Sequence, residues 1–211
     1  MDHLRYSSVE APLSKAEHDA LSELVQIAVG GASARLRAMV GSAVDLTVPV
    51  VDVFNTVAAA DWSHWSTDER IVTVSQAFTG HLSGQMYLVL SDRDSEALAR
   101  VVMGEGGADP DDHELARDTL GEIGNVLLLG FLASIGNLLR QTFSVDLPKV
   151  EAMDARDLFP GGQGIFLVIY MNFHHAGSGA RGHFSLMMRL GSAQALRPML
   201  SSLIGDVERQ T

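Results

Sequence analysis

The sequence contains no cysteine, which excludes disulfide staples and thiolate metal sites and fits a reducing compartment. Basic residues are scarce: 15 Lys and Arg stand against 26 Asp and Glu, for a formal net charge of −11. Nucleic acid and anionic membrane both demand clustered Lys and Arg, so neither is an expected partner. The N-terminal stretch MDHLRYSSVEAPLSKAEHDA lacks a basic region followed by an apolar core. No secretory signal is readable there, and the expected location is the cytoplasm. A charge-free membrane span is also missing. Leu120 to Leu139 approaches spanning length but carries Glu122, Asn125 and Asn137. A carboxylate in hydrocarbon costs about 2.5–3.5 kcal/mol on insertion scales, so membrane insertion is not expected. There is no Ser–His–Asp arrangement. The Gly-rich stretches GEGGADP, PGGQG and HHAGSGARG lack the Walker pattern.

What remains is an apolar chain of 211 residues, 46% hydrophobic, long enough for one compact domain or two small ones. SKAE at Ser14 to Glu17 has capping-box spacing, and apolar residues then recur at helical intervals from Leu21 to Val40. A long helix is expected over about 14–40. DLTVPVVDVF (45–54) reads as a strand whose proline suits an edge or an irregularity. A loop follows, packed down by Trp62 and Trp65. RIVTVSQAF and GQMYLVL read as strands, and DRDSEALARVVMG as a short helix with an acidic first turn. Gly104 to Glu114 is punctuated by Gly, Pro and Asp and reads as a linker or tight crossover.

The pattern then restarts: a long helix over about 111–141, the strand SVDLPKVEAM, the loop DARDLFPGGQG, the strands IFLVIYMNF and RGHFSLMMRL, and the short helix SAQALRPMLSSLIG. An offset of 99 carries Asp19 onto Asp118, Glu23 onto Glu122, Gln26 onto Asn125 and Pro49 onto Pro148. An offset of 98 carries Gly84 onto Gly182 and Leu88 onto Leu186. The expected fold is α+β: a single domain, residues 1–211, of two pseudo-symmetric repeats, about 13–104 and about 111–205. Each repeat runs long helix, strand, two strands, short helix. Their strands are expected to share one sheet, with both long helices packed on one face.

On a wheel of about 100° per residue, Leu120, Ile123, Leu127, Leu128, Phe131, Ile135, Leu138 and Leu139 group on one side, which should cover the sheet. Asp118, Glu122 and Asn125 group opposite as an exposed row, continued by Leu129, Ala133, Gly136 and Arg140. From one helix alone, a solvated face with an acidic first turn explains these residues. Their repetition as Asp19, Glu23 and Gln26 at a constant offset argues for more, because a solvated face need not keep a Glu and an amide in register. His174, His175 and His183 read as a turn or loop-exposed group rather than a metal site. Met86, Met171, Met187 and Met188 read as core.

Asp, three residues, Glu, two residues, Asn, twenty-two residues, Pro resembles the signature of the CheC/CheX/FliY phosphatases of bacterial chemotaxis. Here it is Asp118, Glu122, Asn125 and Pro148. The resemblance covers both repeats, from about Leu13 to Gly205, and the two-repeat layout looks most like CheC. The first copy departs from the pattern, with Gln26 where the family has Asn. The resemblance implies hydrolysis of the aspartyl-phosphate of a CheY-like response regulator. The catalytic residues would be Glu122 and Asn125, with Glu23 and Gln26 as a second, degenerate site. Asn125 would position the attacking water and Glu122 would pair with the receiver's lysine. Asp118, Leu129 and Asp19 would dock the receiver, and Pro148 and Pro49 would be structural. No cofactor of its own is implied, since magnesium is expected on the partner receiver.

Two other readings follow from the same resemblance. One is an adaptor that binds phosphorylated receiver and a CheD-like receptor deamidase. The other is a flagellar switch component, which is disfavoured because FliY-like relatives append a further C-terminal domain and this chain ends at Thr211.

Overall fold

In the computed structural model, Ser14 opens the first helix by the expected device. Its hydroxyl accepts from the Glu17 amide at 3.2 Å, and the Glu17 carboxylate accepts from the Ser14 amide at 2.7 Å. Helix α1 runs Lys15–Val40 and stops at Gly41, whose φ of 69° is the left-handed conformation that glycine adopts without a Cβ penalty. The structure describes residues 14–41, 44–55, 69–80, 83–103, 113–158 and 165–190, together with Arg197, Pro198, Leu200 and Ser201. The expected crossover from Gly104, the Trp62 and Trp65 loop and most of the C-terminal short helix lie outside the described residues.

After α1 come β1 (Val44–Asn55), β2 (Arg70–Thr79), β3 (Gly84–Ser91) and α2 (Asp92–Met103). The second half supplies α3 (His113–Leu139), β4 (Ser144–Val145), β5 (Lys149–Asp154), β6 (Ile165–His175) and β7 (Arg181–Leu190). All seven strands form one antiparallel sheet in the order β1-β6-β7-β3-β2-β4, with β5 also pairing β2. Strands of both halves therefore share one sheet. The order reads alike from either end: β1 flanks β6 as β4 and β5 flank β2.

The expected strand over 144–153 is two strands. Proline has no N–H to give a ladder, and residues 146–148, including Pro148, leave the regular ladder register with β2 between β4 and β5. Pro49 has a milder effect, since β1 stays continuous but its register against β6 slips between Thr47 and Val50.

Helices α1 and α3 lie against each other over one face of the sheet. Leu21, Val25, Ala28, Leu36, Ile123, Leu127, Leu128, Phe131 and Ile135 are buried there with Val74, Phe78, Ile169, Met171 and Phe173. The helices approach closely at Gly130, where an added Cβ would stand 3.0 Å from the Ala32 Cα. A smaller cluster on the opposite face joins Ile71, Val89, Phe166, Val168 and Met187 to Ala155 and Leu158, around the short 3-10 turn Ala155–Asp157. By length and composition α3 is apolar enough to cross a membrane, but half of its most apolar window is buried against the rest of the protein.

The methionines fill the core as expected, with Met86, Met171, Met187 and Met188 all buried. The histidines differ from expectation, because they lie on strands rather than in a loop. His174 and His175 end β6, and His183 is on β7. His183 Nδ1 lies 2.7 Å from the Asn172 Oδ1, its cross-strand neighbour. Buried His175 shares a hydrogen bond of 2.7 Å with Ser178.

Candidate functional site

Asp118, Glu122 and Asn125 lie in the first half of α3, but they do not share one environment. Asp118 and Glu122 are exposed, as the helical spacing predicts. Glu122 makes no ion pair or hydrogen bond among the described residues, so its carboxylate faces solvent. Asn125 departs from the expected outer face. It is partly buried, and its Oδ1 accepts from the Gln76 Nε2 at 3.0 Å. The row therefore begins in solvent and ends against β2.

Two glycines let α3 sit low enough for this contact. An added Cβ at Gly124 would stand 2.5, 2.6 and 2.9 Å from Val74 Cγ1, Cβ and Cγ2, and one at Gly121 would touch Val150 at 3.4 Å. Real carbon–carbon contacts sit near 3.5–4.0 Å. The backbone of α3 at Gly124 thus rests directly on Val74, and Asn125, the next residue, is lowered with it.

Gln76 lies on β2 between Val74 and Phe78 on the same face, and is 2% exposed. Its Nε2 gives one hydrogen to Asn125 and the other to the Asp146 carbonyl, also at 3.0 Å. Asp146 belongs to the interruption around Pro148, and its own amide donates to the Ala77 carbonyl at 2.9 Å. The proline of the motif thus meets the asparagine of the motif through Gln76, a residue that sequence reasoning missed. The signal was present: strand periodicity puts Gln76 on the apolar face of Val74 and Phe78, and a buried amide there needs partners. Leu147, next to Pro148, projects into solvent at 90% exposure. Leu129 lies about one turn beyond Asn125, partly buried, in a shallow groove of about 280 Å³ with Leu132, Ala133 and Phe143.

The first copy of the motif is arranged differently. Asp19, Glu23 and Gln26 are all exposed on α1. Among the described residues Gln26 takes no hydrogen bond. Beside it lies a wider groove of about 550 Å³, lined by Val29, Gly30, Ser33, Arg37 and Leu46. Arg37 is paired at 3.1 Å with Asp45 across the solvent-facing rim. Pro49 belongs to β1, at the register slip.

Chemically, Asn125 offers a fixed carboxamide beside a free carboxylate. Among the described residues, no group of three or more His, Asp or Glu gathers to hold a metal ion.

No family model matches the chain. The chain is similar to the flagellar motor switch phosphatase FliY of Bacillus subtilis, with 26% identity over 147 residues. That match takes in 69% of this chain but only 38% of the relative. Among solved structures, FliY of Thermotoga maritima superposes with a TM-score of 0.73 at 23% identity, covering 92% of this chain and 98% of that one. The chemotaxis protein CheX of Desulfovibrio desulfuricans superposes with a TM-score of 0.54 at 18% identity, covering 80% of this chain and 99% of that one.

Proposed function

We propose, from the premise that this chain belongs to the CheC/CheX/FliY family of chemotaxis phosphatases, that it hydrolyses the aspartyl-phosphate of a CheY-like response regulator. One observation carries the reading: the Asn125 carboxamide is held in place one turn from an exposed, unpaired Glu122 on the same helix. The Bacillus relative is itself named a phosphatase.

Phosphoryl transfer leaves little covalent chemistry to a partner protein, so positioning and charge dominate. Asn125 spends one Oδ1 lone pair on Gln76. The second lone pair accepts a hydrogen from the attacking water and sets it in line with the leaving aspartate oxygen. Glu122 pairs with a lysine of the receiver, a charge-assisted contact that also fixes how deep the amide enters. Asp118 and Leu129 dock the receiver at the rim. Magnesium, if the receiver carries it, is the partner's. The site on α3 carries the chemistry, and the site on α1, with Asp19, Glu23 and Gln26, is weak or silent. The expected location is the cytoplasm, where such receivers act.

The test is phosphate release from a panel of phosphorylated receiver domains, with Asn125→Ala as the control. Acceleration of one receiver by the wild type, lost in the variant, is the expected result. No acceleration of any receiver refutes the activity. The name of the Bacillus relative also assigns that protein to the motor switch. A switch role, or an adaptor role with a CheD-like deamidase, is the second reading, and it predicts receiver binding without accelerated release.

A further inference from the structure

The sheet register shows which residue of the first half stands where Gln76 stands in the second. Val145 pairs with Phe78 and Lys149 with Ser75, while Leu46 pairs with Phe173 and Val50 with Tyr170. The motif offset of 99 relates Leu46 to Val145 and Val50 to Lys149, and one offset of 95 relates both β2 partners to their β6 partners. Gln76 therefore corresponds to Met171. Each faces the proline interruption of the neighbouring strand, and each is buried on the helix side of the sheet.

The two positions differ in what they can do. Methionine at 171 fills its space and donates no hydrogen bond, and Gln26 of the first motif is exposed. Gln76 fills comparable space but carries an amide whose Oε1 is buried without a partner. Such an orphan acceptor is a standing cost. Methionine avoids it at the equivalent place, so packing alone does not explain a glutamine.

Hydrogen-bond logic supplies the explanation. A backbone carbonyl only accepts, so the Asp146 oxygen fixes which end of the Gln76 amide faces it, namely Nε2. The second Nε2 hydrogen then requires an acceptor, and Asn125 must present Oδ1 rather than its NH₂. The orientation of the Asn125 amide is thus dictated from the backbone beside Pro148, through Gln76. The Asn125 Nδ2 is left to solvent with one Oδ1 lone pair.

We propose that Gln76 is a positioning residue, which selects the orientation of the Asn125 carboxamide and holds it there, and that Met171 marks the loss of this device at the first motif. Its kinetic consequence rests on the reading of Asn125 as the water-orienting group, but its structural consequence does not.

The test uses Gln76→Met, which copies the residue of the first half, and Gln76→Leu in case that variant fails to fold. The first measurement is NMR relaxation of the Asn125 side-chain NH₂, assigned by its loss in Asn125→Ala. The wild type should be rigid, and Gln76→Met should fall to an order parameter below about 0.6. The second is phosphate release, in which kcat should fall about 10-fold with KM held. Adding Gln76→Met to Asn125→Ala should cost nothing further. An Asn125 amide as rigid in the variant as in the wild type overturns the proposal, whatever the kinetics. A loosened amide in a protein with no activity towards any receiver supports the positioning and refutes the phosphatase reading alone.

Discussion

Gly124→Ala adds one methyl group at the place where α3 rests on the sheet. The new Cβ would lie within 3.0 Å of three Val74 atoms. One of them is the Val74 Cβ, at 2.6 Å, which no side-chain rotation can remove. Restoring a normal contact requires the helix to lift by about 1 Å. Two energies compete. Alanine is better than glycine in a helix interior by about 1 kcal/mol, whereas overpacking a filled core costs about 1–3 kcal/mol. The strand below is central and cannot yield freely, so the net result should be a loss of up to about 2 kcal/mol. The same lift would stretch the bond from Gln76 to Asn125 from 3.0 Å to beyond hydrogen-bonding range. Activity should therefore fall by more than the stability loss alone explains. Urea denaturation gives the stability change as a shifted midpoint at constant slope, and phosphate release on the still-folded protein gives the activity. Gly30→Ala is the control, because nothing lies within 4 Å of the added carbon. It should stabilise by about 0.5–1 kcal/mol. If Gly124→Ala stabilises as much as Gly30→Ala, the α3 backbone does not rest on Val74.

Asn125→Ala should reduce turnover on the order of 10²-fold and leave circular dichroism unchanged; full turnover with intact receiver binding refutes its role. Gln26→Ala should leave turnover at the wild-type level in the same assay, since its amide is exposed and unheld. An equal loss for the two would show both motifs at work. Ser14→Ala removes the hydroxyl arm of the capping box of α1 and should cost about 1 kcal/mol. Its pH dependence has a definite sign. Hydrogen bonds from the Ser14 backbone and side chain hold the Glu17 carboxyl below its ordinary value. That contribution is present at neutral pH and is lost as pH falls through the lowered value. Ser14→Ala keeps the backbone N–H and loses only the part carried by the hydroxyl, so the gap between wild type and variant should narrow slightly in acid, as read from urea midpoints across pH, and a gap that widens in acid contradicts the capping account.

Much of the architecture was legible because local signals agreed with the global fold. The capping box at Ser14 marked the start of α1, and RIVTVSQAF and GQMYLVL read as the strands they form. The break at 146–148 was not legible: SVDLPKVEAM reads as one strand, and whether Pro148 bulges a strand or splits it depends on the partner strand. The site was harder to read. A helical wheel orders side chains around an axis but does not say how close the next layer lies. Asn125 sits at the boundary between the two faces, and Gly124 lets β2 come up to meet it. The three histidines border the turn at 176–180 but belong to the strands on either side of it. The turn is real, but the strands extend through His175 and begin again at Arg181.

Among the described residues the open sheet has two edges, β1 at one and β4 with β5 at the other. Strand ends of this kind display unpaired amides and carbonyls that can template a further chain, the route to aggregates and swapped assemblies. The motif prolines fall on these two flanking stretches, Pro49 within β1 and Pro148 between β4 and β5. A proline offers no N–H to an incoming strand and bends the ribbon away from flatness. The two motif prolines therefore blunt both margins of the described sheet. A substitution there would act on solubility as well as on the site.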